Sequence, residues 1–194
     1  MRARLVAVAT ACLLVAGCST AGSPTEPSTP PTTPAAEPAQ APDAADPIGT
    51  VVPLPGAPEG VVVGASGIAA AGVREPDGVV LFDAATGAVR QMVSTTGAPR
   101  HLSLAGPDGP VLVPLEGSDE LLEISLADGA ILSTATGVGR QPHDAVQTSD
   151  GTIVATNEMG GGVIFLRGGS VVGELPPGPV QPGGVAALGP FAAV

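Results

Sequence analysis

The sequence predicts an all-β fold, a β-propeller of four-stranded blades, and two sets of repeated motifs predict it. Propellers stack such units around an axis, so their sequences repeat with a fixed period. An opening motif returns about every 41 residues, as Gly56-Ala57-Pro58-Glu59-Gly60, Gly97-Ala98-Pro99-Arg100-His101 and, in looser form, Gly139–His143 and Pro179–Gly183. Turn motifs keep the same register inside the units, at Ser66-Gly67, Asp108-Gly109 and Asp150-Gly151 and again at Thr86-Gly87, Asp128-Gly129 and Gly168-Gly169.

Short β-branched runs between Gly, Pro, Asp and Asn predict four strands in each unit. In the first unit we expect Val61–Gly64, Ile68–Gly72, Val79–Asp83 and Val89–Val93. In the second we expect His101–Ala105, Pro110–Leu115, Glu120–Leu126 and Ala130–Thr134, and in the third Asp144–Thr148, Thr152–Thr156, Gly162–Leu166 and Ser170–Glu174. A single unit of this kind cannot bury both faces of its sheet, so we expect the units to stack.

The chain carries about three complete blades and partial ones at both ends of the repeat. Gly183–Leu188 and Phe191–Val194 resemble the first two strands of a fourth unit. Ile48–Gly56 aligns with Ser170–Gly178, the last strand of the third unit and its exit, and is expected to be half of a closing clasp. We therefore expect residues 48–194 to be a truncated ring, and a four-bladed ring closed by the first strand is the alternative.

The N-terminus has the order of an export signal. Arg2 and Arg4 precede an apolar run from Leu5 to Ala16, which is shorter than the roughly 20 residues that a spanning helix needs. Val15-Ala16-Gly17-Cys18 resembles the lipobox of bacterial lipoproteins. The resemblance implies that residues 1–17 are a signal helix that is removed and that Cys18 is lipidated; an ordinary signal peptide with an incidental cysteine is the alternative.

We expect residues 18–47 to comprise the lipidated Cys18 and a disordered linker rich in Pro, Thr and Ser. Eight prolines lie between Ser19 and Pro47 among Ser, Thr and Ala, without hydrophobic periodicity. A chain of this composition rises about 3.1 Å per residue, so the linker can span up to roughly 90 Å. We expect it to carry the propeller on the extracytoplasmic face of the cell membrane, where the acyl chain is the anchor.

Composition excludes several classes of site and partner. The formal net charge is −11, there is no Lys, and all acidic residues follow Cys18, so we expect no nucleic-acid partner. Cys12 lies within the signal and Cys18 is the predicted lipidation site. No other cysteine remains for a disulfide, a structural zinc site or a thiol nucleophile.

The third unit carries the most specific motif of the chain. Val138-Gly139-Arg140-Gln141-Pro142-His143 precedes Asp150–Glu158, which holds a turn and a strand that ends in Asn157. This pattern resembles the repeat of YncE-like (YVTN-type) β-propellers, although Ser149 replaces the usual Pro of the turn and His143-Asp144 replaces a small residue and Gly. The resemblance implies a propeller that acts as a binding or scaffold module, while the ligand is left open because propellers host unrelated activities.

Loops at the mouth of the predicted channel supply the candidate ligand-binding residues Arg100, His101, Arg140 and His143. We expect the partner to be an envelope protein or a small-molecule ligand, with no cofactor. His101 and His143, at the start of inner strands, are alternatively expected to hydrogen-bond neighbouring blades.

An enzymatic alternative comes from a second resemblance. His143 followed by Glu158 is similar to the Pro-His and Thr-Glu pairs of streptogramin-lyase-like and gluconolactonase-like propellers. This resemblance implies metal-assisted lyase or lactonase chemistry, in which His143 and Glu158 hold a divalent metal and His143 acts as acid or base. Glu75 and Glu116 align roughly with Glu158. A divalent metal is expected only under this alternative.

Overall fold

The computed structural model describes residues 48–175, 178 and 180–194, in which fourteen β-strands and no helix occur. The first sheet contains β1 (Ala57–Val63), β2 (Ile68–Arg74), β3 (Gly78–Asp83) and β4 (Val89–Ser94). The second contains β5 (Ser103–Leu104), β6 (Val111–Leu115), β7 (Glu120–Ile124) and β8 (Ile131–Thr136). The third contains β9 (Pro142–Gln147), β10 (Ile153–Asn157), β11 (Val163–Arg167) and β12 (Ser170–Leu175), and β13 (Ala186–Leu188) pairs with β14 (Phe191–Ala193).

Each sheet is antiparallel with its strands in chain order, because tight turns join consecutive strands. The β3–β4 and β7–β8 turns have the same form. The N–H of Gly87 donates to the carbonyl of Asp83, and the N–H of Gly129 donates to the carbonyl of Ser125. Both glycines have φ near +70°, a conformation that side chains disfavour, which explains why Gly recurs at this position of the repeat.

Two apolar cores lie between successive sheets. Val111 and Val113 of β6 belong to the core shared with the first sheet, whereas Leu112 belongs to the core shared with the third sheet. This alternation is the period of two expected for a strand whose sheet is covered on both faces. The second sheet therefore supplies apolar side chains to both cores, as the stacked arrangement predicted from the repeat requires.

The first strands of successive sheets are neighbours in space: β1 lies beside β5, β5 beside β9, and β9 beside β13. The backbone N–H of His101 donates to the carbonyl of His143 over 3.2 Å, and the hydroxyl of Ser103 donates to the carbonyl of Ala145. In a propeller the first strand of each blade faces the axis, so this row of strands marks the inner side of the array.

The segment Ile48–Gly56 differs from the sequence prediction, because the structure shows no strand there. Val52 instead packs against the β3–β4 turn, where a Cβ on Gly87 would lie 2.3 Å from a Val52 methyl carbon. Pairing requires a free strand edge, and Thr50, Val52 and Leu54 lie beside the β3–β4 turn without joining any sheet. The predicted strand in this segment is therefore wrong for this structure.

The predicted signal helix of residues 1–17, the linker of residues 18–47 and the lipidation site Cys18 lie outside the described residues. Within the described part, the chain contains no helix with the length and apolar character needed to cross a membrane.

Candidate functional site

Charged and imidazole side chains gather where the first strand of each sheet begins and the second strand ends. In the first sheet Ala57 pairs with Arg74, and in the third sheet Pro142 pairs with Asn157. The start of the first strand therefore lies beside the end of the second strand in each of these sheets. Residues at equivalent positions of neighbouring units then meet across the sheets. We call the resulting group the charged cluster, and it consists of Glu59, Arg74, Arg100, His101, Glu116, His143, Asp144 and Glu158.

Four residues of the charged cluster form a closed ring of alternating charge. Arg74 bridges Glu59 and Glu116, with its Nε 3.1 Å from Glu59 Oε1 and its Nη2 2.8 Å from Glu116 Oε2. Arg100 bridges the same two carboxylates at 3.6 Å and 3.5 Å. The Glu116 side chain is only 15% exposed, whereas both arginines are about one-third exposed. One contact of the ring, from Arg74 Nη2 to Glu116, is a hydrogen bond, and the other three are ion pairs. The ring therefore links the first and second units by contacts between charges that remain partly open to solvent.

His143 is the buried member of the cluster, and its two nitrogens have different partners. Nε2 lies 3.1 Å from Arg100 Nε, and Nδ1 contacts the carbonyl of Gly183. The guanidinium Nε–H of Arg100 can only donate, so Nε2 must be the acceptor. The neutral tautomer with its proton on Nδ1 satisfies both contacts, because Nδ1–H donates to Gly183. The lone pair of Nε2 is thus committed to Arg100.

His101 and Asp144 extend the cluster toward solvent and toward the next unit. The His101 ring is half exposed and meets the His143 ring edge to face, with centroids 4.4 Å apart. Its Nδ1 lies 3.9 Å from Asp144 Oδ2, which accepts a hydrogen bond from the N–H of Val185 over 3.1 Å. These contacts agree with the interpretation that the two histidines lie between neighbouring blades, and they leave His101 as an accessible group.

Three residues of the cluster bear on the metal expected under the enzymatic alternative. Glu116, His143 and Glu158 each offer one ligand atom, and these atoms lie within 4.8 Å of one another. Two ligands of the same ion at about 2.0–2.2 Å can be at most about 4.4 Å apart. The Arg100 guanidinium already contacts both His143 and Glu116 at this place. With Arg100 in this position, Glu116, His143 and Glu158 do not form a site for a divalent ion, because their ligand atoms are spread over up to 4.8 Å and the guanidinium already contacts two of them.

The structure brings the predicted candidates Arg100, His101, His143 and Glu158 together but places Arg140 differently. The guanidinium of Arg140 donates to the carbonyl of Met159, next in sequence to Glu158, and it is exposed. Among the described residues, it forms no ion pair with the charged cluster.

Sequence reasoning missed Glu59 and Arg74 and placed Glu116 only roughly. A spacing of 42 residues separates Arg74 from Glu116 and Glu116 from Glu158, and the Arg74–Glu116 hydrogen bond joins residues at that spacing. Counting back by this period from Glu158 would have found Glu116 and Arg74, and counting back from His143 would have found His101 and Glu59. Glu75, the rough equivalent named from sequence, is one position out of register and has a left-handed backbone with φ of 57°.

Asn157, at the end of the strand in the YncE-like pattern, has a structural role. Its Oδ1 accepts the N–H of Arg140 over 2.7 Å and the N–H of Gly160 over 3.1 Å. A Cβ on Gly139 or Gly160 would lie within 2.6 Å of the Asn157 amide group, which explains the glycines around it. Asn157 thus joins the loop before β9 to the loop after β10.

Asp150 carries a strongly lowered carboxyl pKa but lies in the β9–β10 turn, at the other end of the third sheet from the charged cluster. The Thr148 hydroxyl, the N–H of Thr152 and the Arg167 guanidinium all stabilise its ionised form, and they lower its pKa to about 2. Each of these contacts is local to the turn or the adjacent strand. We therefore assign this carboxylate to turn formation and not to chemistry.

The chain matches no family model and no curated protein. Solved structures do resemble it. A streptogramin B lyase is 15% identical with a TM-score of 0.58, over 70% of this chain and 46% of that chain. The WD40 β-propeller domain of Doa1 is 16% identical with a TM-score of 0.52, over 61% of this chain and 40% of that chain. The fold is a β-propeller.

BamB from Moraxella catarrhalis is a third similar structure, 21% identical with a TM-score of 0.50, over 61% of this chain and 36% of that chain. At these identities the likeness establishes the propeller architecture and no activity. This chain spans less than half the length of each of the three propellers.

Proposed function

We propose that this protein is a membrane-anchored, extracytoplasmic lipoprotein whose propeller acts as a binding or scaffold module. The observation that carries the binding role is the charged cluster, which collects donors and acceptors from three successive units at one end of the array. Binding sites combine a few convergent polar groups with a rigid scaffold. The partner is an envelope protein or a small-molecule ligand with polar groups that match these side chains.

The contacts inside the cluster favour binding over catalysis. A general base needs an available lone pair, and both nitrogens of His143 are engaged, one by Arg100 and one by Gly183. The accessible groups are instead the half-exposed His101 ring and the partly exposed guanidinium groups of Arg74 and Arg100. Such groups present hydrogen-bond donors to a partner without requiring a reaction.

Photo-crosslinking from the cluster tests the binding role. The photoreactive residue p-benzoylphenylalanine is placed at His101 in the full-length protein, with Arg90 on the outer strand β4 as the matched control position. We expect a discrete crosslinked product from position 101, absent at position 90, and lost when Glu116→Gln is added. The mass of the product distinguishes a protein from a small molecule. Identical products from both positions would contradict the proposal.

The membrane anchor rests on the sequence of the N-terminus. The lipobox-like residues that end at Cys18 and the Pro-rich residues after it support lipidation followed by a spacer. Labelled palmitate should be incorporated into the wild-type protein and not into Cys18→Ser. A labelled variant would refute the anchor without affecting the binding proposal.

Metal-assisted lyase or lactonase activity is the second candidate, and the convergence of Glu116, His143 and Glu158 favours it. It requires Arg100 to leave its contacts with His143 and Glu116. Under this candidate, turnover of a lactone panel is abolished by His143→Ala while cooperative unfolding is retained. Turnover that is unchanged in His143→Ala would dismiss the catalytic role.

A further inference from the structure

We infer that the guanidinium of Arg100 is a built-in cation that takes the place of a divalent metal in the charged cluster, so that removing it exposes a metal site. The inference does not depend on the proposed binding role. Glu116, His143 and Glu158 converge to within 4.8 Å, and the Arg100 guanidinium already contacts two of these three residues.

The position of Arg100 is the first step. Its Nε lies 3.1 Å from His143 Nε2 and 3.5 Å from Glu116 Oε1, so one positive group contacts two of the three potential ligands. Its backbone is fixed as well, because its N–H donates to the carbonyl of Pro114 over 3.3 Å. The backbone of Arg100 is therefore anchored in the second sheet, and contacts with Glu116 and His143 position its guanidinium.

The orientation of His143 is the second step. Histidines that bind metals usually donate their other ring N–H to a carbonyl or carboxylate, which fixes the tautomer and directs the free nitrogen at the metal. His143 has this arrangement, since Nδ1 contacts the carbonyl of Gly183 and Nε2 points to Arg100. His143 is nine-tenths buried, and we expect its contact with Gly183 to persist when Arg100 is removed.

Charge is the third step. Among the described residues, the carboxylate of Glu158 forms no ion pair, and Glu116 is paired only with the two arginines. Without Arg100, the charged cluster keeps four carboxylates and a single guanidinium, that of Arg74. A divalent ion would restore the lost positive charge, and two carboxylates with one imidazole form a donor set that suits Mn²⁺, Co²⁺ or Zn²⁺.

Metal titration of Arg100→Ala tests the inference in the full-length protein. Co²⁺ binding is followed by visible absorption and Zn²⁺ binding by calorimetry, for the wild type, Arg100→Ala and the control Arg90→Ala. We expect Arg100→Ala to bind one ion with at least about tenfold higher affinity than the other two proteins. Adding Glu158→Gln or His143→Ala to Arg100→Ala should remove the gain.

Arg100→Met serves as a second variant, because it keeps most of the apolar stem and removes only the charged group. Circular dichroism and urea unfolding establish that each variant is folded. A wild-type protein that binds Co²⁺ as tightly as both variants would overturn the inference. Folded variants that bind no better than Arg90→Ala would overturn it equally.

Discussion

The ring of ion pairs predicts that Glu116→Gln lowers the free energy of unfolding by about 1–2 kcal/mol. Glu116 accepts contacts from Arg74 at 2.8 Å and from Arg100 at 3.5 Å, and its side chain is 15% exposed. The Arg74 contact is a hydrogen bond between charged groups, which is about 1 kcal/mol stronger than a neutral one, and the ion pair with Arg100 adds up to about 1 kcal/mol. The arginines are about one-third exposed, so solvent screening keeps the total at or below about 2 kcal/mol.

A double-mutant cycle separates this effect from general damage. Urea unfolding is measured for Glu116→Gln, Arg74→Met and the double variant, and we expect a coupling energy of about 1 kcal/mol. Arg90→Ala, which removes an exposed ion pair on β4, should change stability by no more than about 0.5 kcal/mol. Additive single effects, with a coupling energy below about 0.3 kcal/mol, would show that the ring is geometrically present but energetically unimportant.

Three further predictions concern the turns and the inner strands. The pKa of Asp150 is lowered from 3.8 to about 2 in the fold, mainly by the Thr148 hydroxyl. The ionised carboxylate therefore stabilises the protein above about pH 4, and this contribution disappears as the pH falls toward 2. In urea unfolding, Asp150→Asn should lose less stability than the wild type between about pH 4 and pH 2. Asn157→Ala removes the acceptor of two loop N–H groups and should lower stability by about 1–2 kcal/mol, with faster hydrogen exchange at Gly160 as the specific readout. Gly60→Ala would place a Cβ 2.7 Å from the carbonyl oxygen of Arg100, so we expect a loss of about 1–3 kcal/mol. Gly184→Ala is the matched control, because a Cβ there meets no atom within 4 Å and the backbone φ is not positive.

The strand pattern of the three complete units could be predicted from sequence because it depends on local signals. Turn residues and alternation fixed the order of the strands, and most observed bounds lie within a few residues of the predicted ones. The largest shortening is β5, expected from His101 and observed from Ser103. The reason lies at His101, because its N–H donates to the carbonyl of His143 in the third unit, whereas the N–H of Arg100 still donates to Pro114 of β6 in its own sheet.

The segment Ile48–Gly56 shows the limit of such local signals. Its similarity to the last strand of the third unit predicted a strand, but a strand exists only where another strand offers an edge. The local residue pattern does not indicate which strand edge lies close to this segment in space. In the structure, Val52 lies against Gly87 of the β3–β4 turn.

The charged cluster was predictable only in part, because its geometry depends on register between units. His143 and Glu158 stood out by residue type and by resemblance. Arg74 did not, since a lone arginine at the end of a strand is ordinary until a 42-residue step places it against Glu116. Opposite charges at equivalent positions of successive units are a signal that a strict alignment of the repeats would reveal.

The alternation of β6 between two cores has a consequence for how the molecule comes apart. Val111 and Val113 point into one core and Leu112 into the other, so the middle sheet cannot melt without exposing apolar surface on both sides. Opening fluctuations should therefore begin at the outer strands, where β4, β8 and β12 are half exposed, and should spread to β6 only in global unfolding. We therefore expect the three complete sheets to unfold as one cooperative body, although their sequences are a series of copies.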